Sequence, residues 1–594
     1  MTPQAKNRII LDALSQMKKK SKIHLSFVLI TGILAMTISC SEKVPSVPSS
    51  VTLTPPASSY ESHTPSVIPT TSTPTLPPPE STNPPIITPI QPSPISDFLY
   101  IFGNDGVTIT GYRAAAYDIV IPGEIRGSNV IGIGDEAFAQ CTSPRNIIIP
   151  DSVISIGARA FAYCNNLSSI TIPDSVSHIG DDAFHQCSSL TTITLPRGLT
   201  SINNGVFSDC RKLTTVTIPD NVTTIASYAF SSCYSLTSIT MPADLISIDP
   251  NAFHKCANLK DITIPSKVTN IDEAAFYGCE SLTSIAVSTL NSHYKDVGGI
   301  VFTKDGTSLV CYPAGRNETS YIIPDSVVNI GKSAFAYCGK LTQITIPEGI
   351  TSIGHNAFYY CYSLISIAIP NSVTNIGDSA FAWCTELQVA NIPTGITSIS
   401  NSLFSRCASL KTITIPDNIT DIENWAFSYC TNLTNITIPN SVTNIGHWAF
   451  ASCQSLTDIT LPDKLKNISS EAFLDCRGLT QINIPDGVTD IGNRSFAGCT
   501  NLTNITIPSS VTSIGSFAFA ACDNLTTITI PDSVTSIDDQ AFGCFIVLGD
   551  AFTPSGSMTG FYISGCSDPL VICPRNSYVH QYCLDNSVRF QLMD

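Results

Sequence analysis

Residues 502–522, LTNITIPSSVTSIGSFAFAAC, repeat through most of this chain as L-x-x-I-x-I-P-x-x-V-x-x-I-x-x-x-A-F-x-x-C. The unit starts again at Leu433, Leu456, Leu479 and Leu525, which sets a period of 23 residues. The Phe recurs from Phe138 to Phe542, and the Cys falls at 23-residue steps from Cys141 to Cys279 and from Cys338 to Cys522. Self-similarity at this period specifies a solenoid of stacked coils, each touching only its neighbours. One coil has too few apolar side chains to offset the entropy of ordering 23 residues, so stacking must supply the rest.

The pattern also sets the expected path of a coil. L-x-x-I-x-I alternates at period two, as a strand with one buried face does. Pro ends it, because it has no N–H for further pairing. V-x-x-I-G reads as a second short extended segment with a turn at its Gly. The x-x-A-F-x-x-C stretch has helical spacing but room for only a turn or two, with Ala where backbones crowd. Residues 106–133 carry the same motifs at irregular spacing, as expected of a terminal coil with one neighbour. Residues 286–321 interrupt the repeat with GGIVFTKDGTSLVCYPAG, where Asp305-Gly306 between two β-rich runs signals a hairpin. The expectation is an enlarged coil with a hairpin protruding from one face. Such a hairpin is either a binding loop or a tolerated insertion.

The N-terminus reads differently. Lys18, Lys19, Lys20 and Lys22 precede an apolar run at 25–38 that ends at Ser39-Cys40. That is the charge-then-apolar order of an export signal, and the run is short for a membrane span. TISC resembles a bacterial lipobox, which implies that Cys40 becomes the lipid-bearing first residue. It departs from that pattern at Thr37, where Leu is usual, and the alternative is ordinary cleavage releasing a secreted protein. Met17, directly before the lysines, is the better start than Met1. Residues 41–96 then hold 15 Pro among Ser and Thr. They cannot bury enough surface to fold and favour extended polyproline II, reaching on the order of 100–170 Å.

IPxxVxxIGxxAFxxC at a 23-residue period resembles the BspA-type leucine-rich repeat family of bacterial and protist surfaces, over about residues 98–594. The C-terminal LVICPRNSYVHQYCLDNSVRF resembles that family's strand–helix–strand cap. The resemblance implies a strand-dominated α/β repeat, a leucine-rich-repeat solenoid displayed at the cell surface for adhesion to a protein or glycan. The chain is then divided as a signal peptide at 1–39, a lipid-anchored Pro/Ser/Thr-rich stalk at 40–97 and an irregular first coil at 98–141. Regular coils at 142–285, the enlarged coil at 286–321, regular coils at 322–544 and a cap at 545–594 follow.

Chemistry is sparse. The formal charge is −16, or −21 without residues 1–39, and no basic cluster remains to meet a phosphate backbone, which argues against nucleic acid. No Ser-His-Asp set, paired carboxylates, phosphate loop or HExxH motif occurs, so no catalytic residue, cofactor or metal ligand is assigned. The repeat cysteines read as buried thiols ahead of adjacent-coil disulfides or metal binding, since side chains stacked in parallel point the same way. Cys566, Cys573 and Cys583 in the cap are better disulfide candidates. For a ligand surface the candidates are the exposed strand column Thr194, Thr217, Thr240 and Thr263, with Tyr294 and Asp305 of the insert and Trp383 beside the Cys column. Tyr163, Tyr359, Tyr360 and Tyr429 share that last setting, as contact anchors or as edge packing. The expected partner is an extracellular protein or glycan, with membrane contact through the N-terminal lipid only. The competing expectation is an envelope spacer without a specific ligand, because a specific site should break the repeat's surface pattern locally.

Overall fold

A chain of stacked coils must pair its backbone groups along the stacking axis, and this one does so on three sides. The computed structural model describes residues 91–543 apart from 539, the strands Ile546–Leu548 and Phe561–Ile563, and residues 569–593 apart from 576 and 587. The export signal, Met17, Cys40, the stalk up to residue 90 and Cys566 lie outside the described residues.

The alternating L-x-x-I-x-I stretch forms a short strand in almost every coil, such as Ser169–Thr171 or Thr192–Thr194, exposed at both ends and buried at the central Ile. These strands pair in parallel at one-period offset, Thr192 with Thr215 and Thr194 with Thr217. The longest sheet of this kind has twelve strands, from Ser320–Ile322 to Phe590–Leu592. The V-x-x-I stretch builds a second parallel sheet, as where Ser201–Ile202 pairs with Thr224–Ile225. Identical positions therefore stack into columns along the solenoid.

The third side is not the helical turn that the A-F-x-x-C spacing suggests. Arg159 N–H donates to Asp181 O, Phe161 N–H to Ala183 O and Tyr163 N–H to His185 O, so every second residue bonds to the next coil. This alternation requires left-handed backbone at Arg159 (φ 54°) and Tyr163 (φ 64°), and the same two positions are left-handed in nearly every coil. Tertiary pairing overrides local helical spacing. The Gly of I-G also has a different role from the expected turn. A Cβ at Gly180 would lie 2.4 Å from Ala158 N, and one at Gly377 2.4 Å from His355 N. Glycine there permits close backbone approach between coils.

Inside, the phenylalanines form a column in each of two lengths of the solenoid. Neighbouring rings from Phe138 to Phe276 and from Phe335 to Phe542 stack nearly parallel, with centroids 5.0–5.9 Å apart. Tyr112 stacks on Phe138 at one end, and Tyr582 meets Phe542 edge-on at the other. Beside this column runs one of buried thiols. Cys164 Sγ donates to Phe138 O at 3.1 Å, and the bond recurs coil after coil to Cys522 Sγ and Phe496 O at 3.2 Å. These cysteines form no disulfides, and burial pushes the thiols far up, that of Cys361 to about 12.

The insert does not protrude. Tyr294–Val297, Ile300–Thr303 and Ser308–Cys311 form an antiparallel trio, and Ser308–Cys311 pairs in parallel with Asn329–Ile330 of the next coil. Ile300, Phe302, Leu309 and Tyr312 join the downstream core, while Val301 and Val310 join the upstream one. A strand apolar on both faces must be covered on both, so the insert is a septum between two lengths of solenoid. Its two hairpins also turn differently. Gly298 (φ 59°) and Gly299 (φ 82°) are both left-handed, whereas at Asp305-Gly306 only Gly306 is (φ 83°), its N–H bonding Thr303 O. Tyr312 replaces the column Phe, stacking on Phe335 at 5.1 Å.

The ends are closed by different elements. Phe98–Phe102 runs antiparallel to Val107–Tyr112, which then pairs in parallel with Ser128–Ile133. At the other end Leu570–Cys573 pairs with Thr527–Thr529, the helix Tyr578–Asn586 follows, and Phe590–Leu592 completes the sheet. Val579, Tyr582 and Cys583 of that helix are buried, and Cys573 and Cys583 remain thiols. The expected strand–helix–strand order is present, without a disulfide between these two.

If the ring column holds the stack together, Phe427→Ala, between rings at 5.8 and 5.4 Å, costs about 3–5 kcal/mol. Urea unfolding followed by circular dichroism reads this; an unchanged midpoint would show that the column is not what stabilises the coils.

Candidate functional site

The two left-handed positions of each coil set the chemistry of the turn side. L-residues with positive φ cost about 1–2 kcal/mol each, so glycine is the economical choice, and Gly205, Gly278 and Gly498 occupy these positions in three coils. Elsewhere the position holds side chains that are bulky or charged in two consecutive runs. Tyr337, Tyr360, Trp383, Arg406 and Tyr429 precede the Cys in five successive coils. Trp425, Trp448, Glu471, Arg494 and Phe517 precede the Ala-Phe step, or Ser495-Phe496, in five coils that overlap the first run.

The first run is closed on itself. Tyr337 stacks on Tyr360 at 4.9 Å, and Tyr360 on Trp383 at 5.1 Å. The Arg406 guanidinium lies between aromatic faces, 4.4 Å from the Trp383 centroid and 4.1 Å from that of Tyr429. This is a cation–π sandwich. Across the insert Tyr277 meets Tyr337 edge-on, with centroids 5.0 Å apart. Here the ring faces are used in packing, and the side chains are half-buried.

The second run is open. A groove of about 460 Å³ is lined by Trp425, Trp448, Glu471, Arg494 and Phe517, with Asn424, His447, Ser470, Asn493 and Ser516 from the preceding position of each coil. Trp425 is 44% exposed. Among the described residues neither indole packs against another ring, although the two are one coil apart. Arg494 Nη1 donates to Glu471 Oε1 at 3.1 Å, and the guanidinium sits 5.5 Å from the Phe517 centroid. Asn424 Oδ1 accepts from His447 N–H at 2.7 Å and Asn493 Oδ1 from Ser516 N–H at 2.8 Å. Their amide NH₂ groups stay available at the rim. An aromatic row and a polar row thus run side by side, an arrangement that can hold a ligand with apolar faces and hydrogen-bonding edges.

The family model of the BspA type leucine rich repeat region matches residues 118–237, 223–305, 311–434 and 420–545. The chain belongs to this BspA-type family. Among solved structures it is similar to a leucine rich cell surface protein from Faecalibacterium prausnitzii, with 34% identity over 63% of this chain and 95% of that one, at a TM-score of 0.51. A leucine-rich repeat protein from Bacteroides ovatus shares 25% identity over 75% of this chain and 99% of its own, at a TM-score of 0.36. No curated protein matches.

In this BspA-type solenoid the residues singled out from sequence lie on three different sides. Thr194, Thr217, Thr240 and Thr263 are exposed on the first sheet. Their strand pairing lapses at Thr240, which lies outside the strands, and on this side an isolated Ser238–Asp261 bridge takes its place. Tyr294 belongs to the septum, and its hydroxyl accepts the Ile271 N–H at 3.1 Å, so it supports the fold rather than a free surface. Asp305 is a turn former. Its Oδ1 accepts from Thr303 Oγ1 at 2.6 Å and from both Thr307 N–H and Oγ1 at 3.0 Å. These bonds hold its carboxyl down at about 2. Trp383 lies on the turn side, within the closed stack. The structure does not assemble these residues into one surface. The groove residues were not singled out, yet aligning the coils shows the signal: the column reads Ser333, Asn356, Ser379 and Ser402 before it changes to Trp425 and Trp448.

Among the described residues no group of three or more His, Cys, Asp and Glu is placed to hold a metal ion. No helix among them is long and apolar enough to cross a membrane.

The Asp305 turn has a pH signature. Because folding lowers this pKa, its stabilisation is present above the unfolded value and is lost as pH falls toward about 2. Asp305→Ala should therefore lower the urea midpoint at pH 7, and the gap from wild type should narrow between pH 4 and pH 2. A gap independent of pH would rule out the carboxylate as its source.

Proposed function

We propose that this chain is a non-catalytic, ligand-binding protein of the bacterial cell surface, holding an extracellular protein or glycan on the turn side of its solenoid. The observation that carries the reading is the local break in the repeat, where all three tryptophans of the chain gather in coils close to one another. Two of them open onto a groove. Unpaired aromatic side chains in a concave, partly polar setting are the usual anchors of binding sites. A surface kept only for stacking has no need of tryptophan in a left-handed conformation, and the strain is offset by the inter-coil bonds around it. The Faecalibacterium relative, a cell surface protein, supports the location. The export signal, lipidation at Cys40 and the Pro-rich stalk are the means proposed for reaching it, with a secreted form as the alternative. The run of Thr171, Thr194, Thr217, Thr240 and Thr263 on the first-sheet side favours a second reading, a structural spacer without a specific ligand.

The deciding experiment compares the full chain with its Trp425→Ala/Trp448→Ala variant on an array of matrix proteins, mucins and glycans. Saturable binding weakened at least tenfold in the variant is expected. Saturable binding of equal strength in both would move the site elsewhere, and silence across the array would favour the spacer. For the anchor, Cys40→Ser should abolish incorporation of labelled palmitate in the producing cell; labelling that persists would overturn lipidation at this residue.

A further inference from the structure

The groove at Trp425 and Trp448 has properties that select among ligand chemistries. Its two indoles occupy equivalent positions in adjacent coils, and among the described residues neither is engaged with another ring. Beside them the polar row Asn424, His447, Ser470, Asn493 and Ser516 follows the same axis. Coils here repeat at the ring spacing of the inner column, 5.4–5.6 Å from Phe427 to Phe519. That is close to the length of one pyranose in an extended chain. We infer that this groove binds an extended, neutral oligosaccharide, one sugar to a coil. Pyranose C–H faces would lie on the indoles, with hydroxyls toward the Asn amides. The inference rests on the ligand-binding reading above and names the chemistry of the ligand.

Two observations exclude the nearest competitors. An extended peptide gains most of its affinity from main-chain pairing at an open strand edge. The turn side offers none: Trp425 N–H bonds His447 O, Trp448 N–H bonds Ser470 O, Glu471 N–H bonds Asn493 O and Arg494 N–H bonds Ser516 O. An acidic glycan needs free cations. Arg494 is already paired with Glu471, whose side chain is only 13% exposed, and the chain as a whole carries −16. The field opposes an anion.

The test uses the full chain carrying Trp383→Phe, which leaves the two groove tryptophans as the only indoles. It is titrated with neutral hexasaccharides of β-1,4-linked glucose, N-acetylglucosamine and mannose and with a heparin hexasaccharide, following tryptophan emission. A saturable change with at least one neutral sugar is expected, with Kd raised at least tenfold by Trp448→Ala and no saturation by heparin. In the unsubstituted chain the same sugar should slow oxidation of Trp425 and Trp448 by N-bromosuccinimide, a readout that needs no variant to fold. Three results would overturn the inference: no response to any neutral sugar, tighter binding of heparin, or a response unchanged by Trp448→Ala. Protein-array binding that is lost in the groove variant, with the sugars inert, removes the oligosaccharide and keeps the ligand-binding reading. Inertness to both removes both.

Discussion

Coil-to-coil stacking is the interaction on which everything else here depends. A coil of 23 residues cannot fold by itself, so each element of the unit is shaped by what the next coil requires. Three hydrogen-bond ladders, two of short parallel strands and one of alternating turn residues, run along the axis. Between them the phenylalanine column supplies dispersion and area, and the cysteine column fills the space beside it while donating to carbonyls of the preceding coil that also accept a backbone N–H. Cysteine suits this position because it is small, apolar and still a weak donor.

The same dependence explains the insert. Extra residues in a solenoid are usually placed outside, where they disturb no ladder. Here the added strands carry apolar side chains on both faces, and the chain resolves this by making them part of the stack. Strand Ser308–Cys311 hands the second sheet on to Asn329–Ile330, and Tyr312 starts the ring column afresh. Tyr277 still meets Tyr337, and the Glu273 carboxylate accepts the Lys332 N–H, so the turn side bridges the septum directly.

Function is proposed where the stack imposes least. Core columns hold mainly Phe, Ile, Leu, Val, Ala and Cys, with substitutes such as Met241, Tyr312 and Ser495 that are also buried, whereas the two left-handed positions ask only that the backbone be held, which the ladder does. Their side chains are therefore free to vary, and a run of coils fills them with aromatic and charged groups. In the Cys-adjacent column these groups are spent on one another, with Arg406 between Trp383 and Tyr429. In the neighbouring column Trp425 and Trp448 are not, and the groove results.

Sequence alone determined the period, the two strands and the buried Ile, Phe and Cys columns, because each rests on a repeated apolar spacing visible in one dimension; the irregular first coil followed from the same motifs at longer spacing, and the strand–helix–strand cap was implied by the family resemblance. It did not determine the conformation of A-F-x-x-C, since that spacing fits a helical turn locally and only bonds to the next coil select the left-handed alternation at Arg159 and Tyr163. Nor did it determine that Ile300 and Val301 face two different cores, which depends on what lies on each side of the strand. The break at Trp425 and Trp448 was present in the aligned coils. That it forms an open groove while Trp383 lies in a closed stack was decided by tertiary structure, because ring contacts between coils depend on rotation about side-chain bonds that no spacing records.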